Sequence, residues 1–310
     1  MFITHPPRSR RFLLQALSSI TLATAMLGTA AAQSLPVTAS FSILGDWVKV
    51  VGAERVTVTN LVGADQDAHV FEPKPTDAKA IKQSKLLVIN GMGFEPWTQK
   101  LAKSANYQGF TLVASNGIKP LVPNAEKGKH HDHHHAEADP HAWQNPQNVI
   151  VYINNITSTL SKLDPAGASS YQSNAQAYIK ELQALDAWAQ EQFASIPAEK
   201  RKVITSHDAF AYFAARYNIQ FLAAQGTSTE TEPSAKQVAK LIKQIQREKI
   251  KTVYVENMSN PKLLAQLSKD AGASVGASLY ADALSAPDQA GATYLKMMRH
   301  NVSQLAAGMR

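Results

Sequence analysis

Two blocks of short apolar strands alternating with helical patterns, separated by one long helical stretch, constrain this chain more than any other feature. Successive strands joined by helices cannot form hairpins; they pair as parallel sheets covered on both faces. In the first block, 36–41 (PVTASF) and 56–62 (VTVTNLV) are β-branched runs bounded by Pro or Gly, 86–90 (LLVIN) reads as a buried strand, and a further strand begins at Thr111. Residues 43–51 and 76–83 carry helical spacing, with Thr76 placed to cap the second of these. In the second block, 202–205, 220–223, 252–256 and 273–277 are the strands, and 210–217, 234–248 and 261–270 the helices. The intervening stretch starts at Asn145-Pro146, a capping residue followed by proline at the first helical position. Ile150, Ile153, Ile156 and Leu160 recur at helical spacing, Asp164-Pro165 interrupts, and Tyr171, Tyr178, Leu182, Leu185 and Trp188 continue the pattern. The expected fold is α/β: two lobes, each with a mainly parallel sheet flanked by helices, joined by a long rigid backbone helix, with a cleft between them. The expected boundaries are 33–145 for the first lobe, 146–195 for the connecting helical backbone and 196–310 for the second lobe.

The first 32 residues stand apart. Arg8, Arg10 and Arg11 precede a mostly apolar run, 12–27, and small residues then offer cleavage after Ala32. This three-part layout predicts a cleavable signal peptide and export to the periplasm, with a membrane anchor as the alternative reading. Ser9-Arg10-Arg11 followed by Leu13 and Leu14 also resembles a twin-arginine signal, so the route is Sec or twin-arginine. Without the leader, 28 bases face 24 acids. So small an excess, with no clustered basic stripe, argues against nucleic acid as a partner. The absence of cysteine excludes disulfides, thiolate metal sites, cysteine nucleophiles and a cysteine-linked lipid anchor.

Ten histidines remain to be sorted. His5 belongs to the leader and His300 to a surface helix. His130, His131, Asp132, His133, His134 and His135 form a polar tract without a packing period, read as an auxiliary low-affinity metal loop, or else as a merely solvated stretch. His69, His141 and His207 each sit at a strand–loop junction, where α/β sheets present functional groups. Any one of them alone reads as an ordinary hydrogen-bonded histidine. Together, at cleft positions and beside a histidine tract, they read as ligands. Asp282, after the last strand, is a fourth candidate that alone would be a cap or turn residue.

These residues carry a resemblance. Asp67-Ala68-His69-Val70-Phe71-Glu72-Pro73, Asn90-Gly91-Met92-Gly93-Phe94-Glu95-Pro96-Trp97, Asp139-Pro140-His141-Ala142-Trp143, Ser206-His207-Asp208-Ala209-Phe210 and Asp282 within Tyr-Ala-Asp-Ala-Leu appear in the order seen in one family. The mature chain resembles the metal-binding solute-binding proteins of zinc and manganese ABC importers, the cluster A-I or TroA-like group. That resemblance implies a metal buried between two α/β lobes, with His69 and His141 supplied by the first lobe and His207 and Asp282 by the second. Manganese-selective members commonly carry Glu where this chain has His207. The resemblance thus implies the three-histidine, one-aspartate zinc subtype. It also implies transport rather than catalysis, with a permease and its ATPase subunit in the inner membrane as partners. A periplasmic zinc metallochaperone is a further candidate partner, and the protein is expected to act as a monomer.

Three imidazoles and a carboxylate suit near-tetrahedral Zn²⁺, whereas Mn²⁺ prefers more oxygen ligands. The second ring nitrogens need acceptors, for which Asp208, Asp67 and Glu256 are candidates. The rival readings are an exported zinc hydrolase and a zinc-storage protein. The first needs an open metal position that Asp282 would close, and no general base accompanies the histidines. No phosphate-cradling glycine loop is present, so ATP hydrolysis would fall to other subunits.

Overall fold

β1 (Leu35–Phe41) pairs in parallel with β2 (Val56–Val62) on one side and β3 (Leu86–Ile89) on the other, and β4 (Phe110–Val113) completes the order β2-β1-β3-β4. This is the sheet of the first lobe in a computed structural model that describes residues 1–3, 34–121 and 138–310. The chain divides into Met1–Gln33 and the unit Ser34–Arg310. The leader, apart from its first three residues, and the histidine tract 130–135 lie outside the described residues. Among the described residues, no helix is long and apolar enough to cross a membrane.

The central strands explain the sequence pattern. β3 reads as an unbroken apolar run because all four of its residues are buried, whereas the edge strand β2 alternates. Helices α1 (Ser42–Gly52), α2 (Pro75–Gln83) and α3 (Trp97–Ser104) cover the faces. In α2 the first helical residue is Pro75 and Lys74 occupies the cap position, its backbone N–H donating to Asp77 at 2.7 Å. Thr76 is therefore not the cap; the fixed φ of Pro75 starts the helix one residue earlier.

The second lobe repeats the topology. β5 (Lys202–Thr205), β6 (Gln220–Ala223), β7 (Thr252–Val253) and β8 (Ser274–Val275) form a parallel sheet in the order β6-β5-β7-β8, with α6 (Ala211–Tyr217), α7 (Ala235–Glu248) and α8 (Pro261–Ala271) between them. β7 is shorter than the apolar run 252–256 suggests, because only Thr252 and Val253 pair with β8; Glu256 bridges to Leu279 beyond it. In both sheets the connections diverge between the two central strands, β1 and β3 or β5 and β7. In open α/β sheets that point is where the carboxyl ends form a crevice.

The stretch between the lobes is two helices folded back on each other, not one rod. α4 (Pro146–Leu163) opens with Asn145 accepting the Gln147 N–H at 2.9 Å. After the turn at Asp164-Pro165, α5 (Ala168–Ala194) runs 27 residues, about 40 Å at the helical rise. The turn is tied to the end of α1 by a two-point contact, Arg55 donating to Asp164 at 2.8 and 3.0 Å, with Tyr171 adding a third bond at 2.6 Å. α5 packs against α1 and against the C-terminal helix α9 (Tyr294–Met309), which also touches α1.

The result is one continuous apolar core. It runs from Trp47 and Val48 through Tyr152, Ile156, Leu182 and Leu185 to Phe213, Met297, Met298 and Leu305. Smaller clusters lie under α2 and α3 and under α7 and α8. Each lobe thus hangs on a shared spine. Where the spine meets the second lobe, the buried Asp186 of α5 accepts from Arg216 at 2.9 Å, Gln147 at 2.7 Å and Tyr217 at 3.0 Å. Burial pushes this carboxyl up, but the bonds from Arg216, Gln147 and Tyr217 outweigh it and hold it below the ordinary range.

A folded value below the unfolded one adds stability above about pH 4 that is lost as pH falls through the lowered value. Asp186→Asn is expected to lower unfolding free energy at pH 7 by about 2 kcal/mol. The gap between variant and unmodified protein, followed by urea unfolding at several pH values, should close below about pH 4.

Candidate metal centre

Four loops at the carboxyl ends of the two sheets bring His69, His141, His207 and Asp282 together. Their donor atoms lie within 4.8 Å of one another. Asp282 is the hub. Its carboxylate oxygens stand 3.3 Å from His69 Nε2, 3.6 Å from His141 Nε2 and 3.0 Å from His207 Nε2, and the first two nitrogens are 3.4 Å apart. Asp282, His141 and His207 are wholly buried, while His69 keeps 7% of its surface exposed. Neither Asp282 oxygen nor His207 Nε2 has a hydrogen-bond partner among the described residues.

Each ligand candidate is held by a different device. His207 follows β5, and Glu256 follows β7, so the pair occupies the divergence point of the second sheet. Glu256 accepts the backbone N–H groups of Ser206 and His207 at 2.9 and 3.1 Å and also contacts His207 Nδ1. Asp139 does the same for His141, taking its backbone N–H at 2.9 Å and its Nδ1 at 2.8 Å. Both imidazoles are thereby fixed with Nε2 pointing at Asp282. The loop bearing Asp282 is pinned from both sides: Trp143 and Gln144 each donate to Ala281 O at 2.9 Å, Asn301 bonds both backbone groups of Tyr280 at 3.0 and 2.7 Å, and Ser42 accepts the Leu284 N–H at 3.0 Å.

The turn 90–97 grips both histidines of the first lobe. Gly91, Met92 and Gly93 all have positive φ (85°, 55° and 79°), a run that needs glycine. At Gly91 a Cβ would also meet Val113 at 2.5 Å. The tight turn returns Glu95 onto the N–H groups of Asn90 and Gly91 at 2.5 and 3.1 Å, with Ser40 donating to it at 2.8 Å. Asn90 donates to Pro140 O at 3.0 Å beside His141, and Trp97 donates to Ala68 O at 2.9 Å beside His69. Phe94 lies edge-on to both imidazoles, with centroids 4.8 and 5.9 Å away.

The electrostatics follow from this placement. Burial favours an uncharged Asp282, but the neighbouring His207 and His141 outweigh it and hold its carboxyl well below the usual range. Burial likewise opposes charge on His141, yet Asp282 and Asp139 raise it to about 9; Glu256 and Asp282 drive His207 well above its ordinary value. The pocket is built for positive charge.

Of the three candidate acceptors, Glu256 meets a ligand ring. Asp67 meets His69 through its backbone N–H alone, at 2.9 Å, and Asp208 bonds through its own N–H to Gly226 O at 3.0 Å. Asp139 is the acceptor that sequence reasoning missed. Asp139/His141 and Asp67/His69 share an Asp-x-His spacing, but only the first aspartate reaches the imidazole.

Comparison with known proteins places the chain. The family described as zinc-uptake complex component A, periplasmic (ZnuA), matches residues 37–308. The metal ABC transporter substrate-binding lipoprotein SloC of Streptococcus mutans is 32% identical over 305 residues, covering 96% of this chain and 97% of its own. The manganese-binding lipoprotein MntA of Halalkalibacterium halodurans is 30% identical over 277 residues, with 89% of each chain covered. Among solved structures, the periplasmic zinc-binding protein TroA from Treponema pallidum superposes with a TM-score of 0.81 at 25% identity, covering 89% of this chain and 99% of that one. The fold and site are those of a metal-binding substrate-binding component of an ABC importer, not of an enzyme. The chain belongs to the ZnuA/TroA family of these components. Such a component works outside the cytoplasm with a membrane permease and its ATPase.

Asn90→Ala would strip Tyr152 OH of its acceptor, now at 2.5 Å, and Pro140 O of one of its two donors. Urea unfolding of the metal-free protein should show a loss of about 1–3 kcal/mol, since the buried Tyr152 hydroxyl is left unpaired while Pro140 O keeps the Ala142 N–H at 2.9 Å.

Proposed function

We propose that this protein captures Zn²⁺ in the periplasm with His69, His141, His207 and Asp282 and hands it to the permease of its ABC importer. One observation carries the reading: three imidazole nitrogens converge on a wholly buried carboxylate whose oxygens have no hydrogen-bond partner among the described residues. Zn²⁺ bound at 2.0–2.2 Å in a tetrahedron sets its ligand atoms about 3.3–3.6 Å apart. Four of the contacts in the cluster, at 3.0–3.6 Å, lie close to that range, within a set of donor atoms that spans up to 4.8 Å.

An N₃O donor set favours Zn²⁺ over Mn²⁺, which seeks more oxygen and higher coordination. Asp139 and Glu256 behind two of the imidazoles orient the rings and strengthen their basicity. Relatives differ on the ion, MntA being named for manganese and TroA for zinc. We further propose that the leader is cleaved after Ala32 and that the mature protein is free in the periplasm. Several relatives are named lipoproteins, and this chain has no cysteine to carry such a lipid.

Capturing scarce zinc requires nanomolar affinity, about 12 kcal/mol. Titration of the chelator-stripped protein against a calibrated indicator should give one tight zinc site. His207→Ala should weaken it at least about a hundredfold, and Glu256→Gln about ten- to a hundredfold. Tight manganese binding with weak zinc would overturn the choice of ion; weak, multiple sites indifferent to His207→Ala would overturn the site.

A further inference from the structure

The four ligand candidates are not equally held. His141 and His207 have no exposed surface and each ring Nδ1 meets a carboxylate, Asp139 or Glu256. His69 keeps 7% exposure, and among the described residues its Nδ1 has no acceptor. Its loop is fastened instead through the backbone. From the first lobe, Trp97 donates to Ala68 O at 2.9 Å. From the second half of the chain, Leu284 O accepts the Asp65 N–H at 2.8 Å and Asn257 donates to the Asp65 carboxylate at 2.7 Å.

Asp67 joins the two sides directly. One of its oxygens accepts the His69 N–H at 2.9 Å, and the other accepts the hydroxyl of Thr229, in the segment between β6 and α7, at 2.7 Å. Asp67 and Thr229 both line a cavity of about 330 Å³ whose walls reach the surface at Glu232 and Asn260. The bridge therefore lines a cavity that reaches solvent, and it lies two residues from the least buried ligand candidate.

We propose that Asp67 is a positioning residue for ion release: its bridge to Thr229 latches the His69 loop, and His69 is the ligand that lets go first. This rests on the four-ligand reading above. With the bridge intact, one carboxylate keeps the His69 backbone registered to the second lobe. When the lobes shift and Thr229 withdraws, the loop loses that tether, while the carboxylates behind His141 and His207 keep those imidazoles in place.

The test is the zinc off-rate, measured by mixing the zinc-loaded protein with excess chelator. Thr229→Val removes the hydroxyl without changing the side-chain shape; it should raise the off-rate about tenfold and leave the melting temperature of the metal-free protein unchanged. Thr229→Ser, which restores a hydroxyl, should return the off-rate to near the original. An off-rate within about twofold of the unmodified protein in Thr229→Val, or a rise matched by lost metal-free stability, overturns the latch. The comparison is a ratio within one ion, so a protein that holds Mn²⁺ in place of Zn²⁺ defeats the zinc assignment and leaves the latch to be decided by the same ratio with Mn²⁺. A protein that holds neither ion overturns both.

Discussion

A carboxylate with no exposed surface and no hydrogen bond to either oxygen is an expensive group to build into a fold, and among the described residues Asp282 is one. Taken from water without compensation, a charge of this kind costs several kcal/mol. Here the compensation is three imidazoles, two of them backed by further buried carboxylates, Asp139 and Glu256. The cluster holds more negative charge than a neutral-histidine site could balance. Either protons on the imidazoles or a divalent cation can supply the difference, and both bind the same nitrogen atoms. Much of the local architecture serves this arrangement: the paired anchors on Ala281 and Tyr280, the glycine-dependent turn at 90–97, and the two Asp/Glu–His contacts.

The repeated sheet order explains why the site falls where it does. In each lobe the connections diverge between two central strands, so the carboxyl ends of those strands leave a crevice. In the second lobe His207 and Glu256 fill that crevice; in the first, Glu95 and Asn90 occupy the equivalent place and work indirectly, by holding the loops of His141 and His69. The continuous core through α4, α5 and α9 then sets the two crevices against each other. A spine of packed helices favours small adjustments of loops over wide opening of the lobes, which agrees with the uneven fastening of the ligands.

Much of this was legible in the sequence. The bounds of β2, β5 and β6 follow from β-branched or apolar runs between turn residues, and the Asn145-Pro146 start of α4 follows from capping chemistry. The four converging residues stood out as histidines at strand–loop junctions and an aspartate after the last strand. What sequence could not convey depends on distance in space. The fold-back at Asp164-Pro165 looks the same as a kink until Arg55, 109 positions away, is seen closing it. Asp139 and Asp67 sit at identical spacing from a histidine, and only packing decides that one reaches the ring while the other reaches across to Thr229. The Asn90–Trp97 turn carried a recognisable motif, yet its grip on Pro140 and Ala68 is a tertiary fact.

The most direct test of the account is X-ray absorption at the zinc edge of the protein loaded with one equivalent of Zn²⁺. The account predicts four nitrogen or oxygen neighbours at about 2.0–2.1 Å, with outer scattering from three imidazoles. A shell of five or six oxygens, or scattering from fewer than three imidazoles, would contradict it.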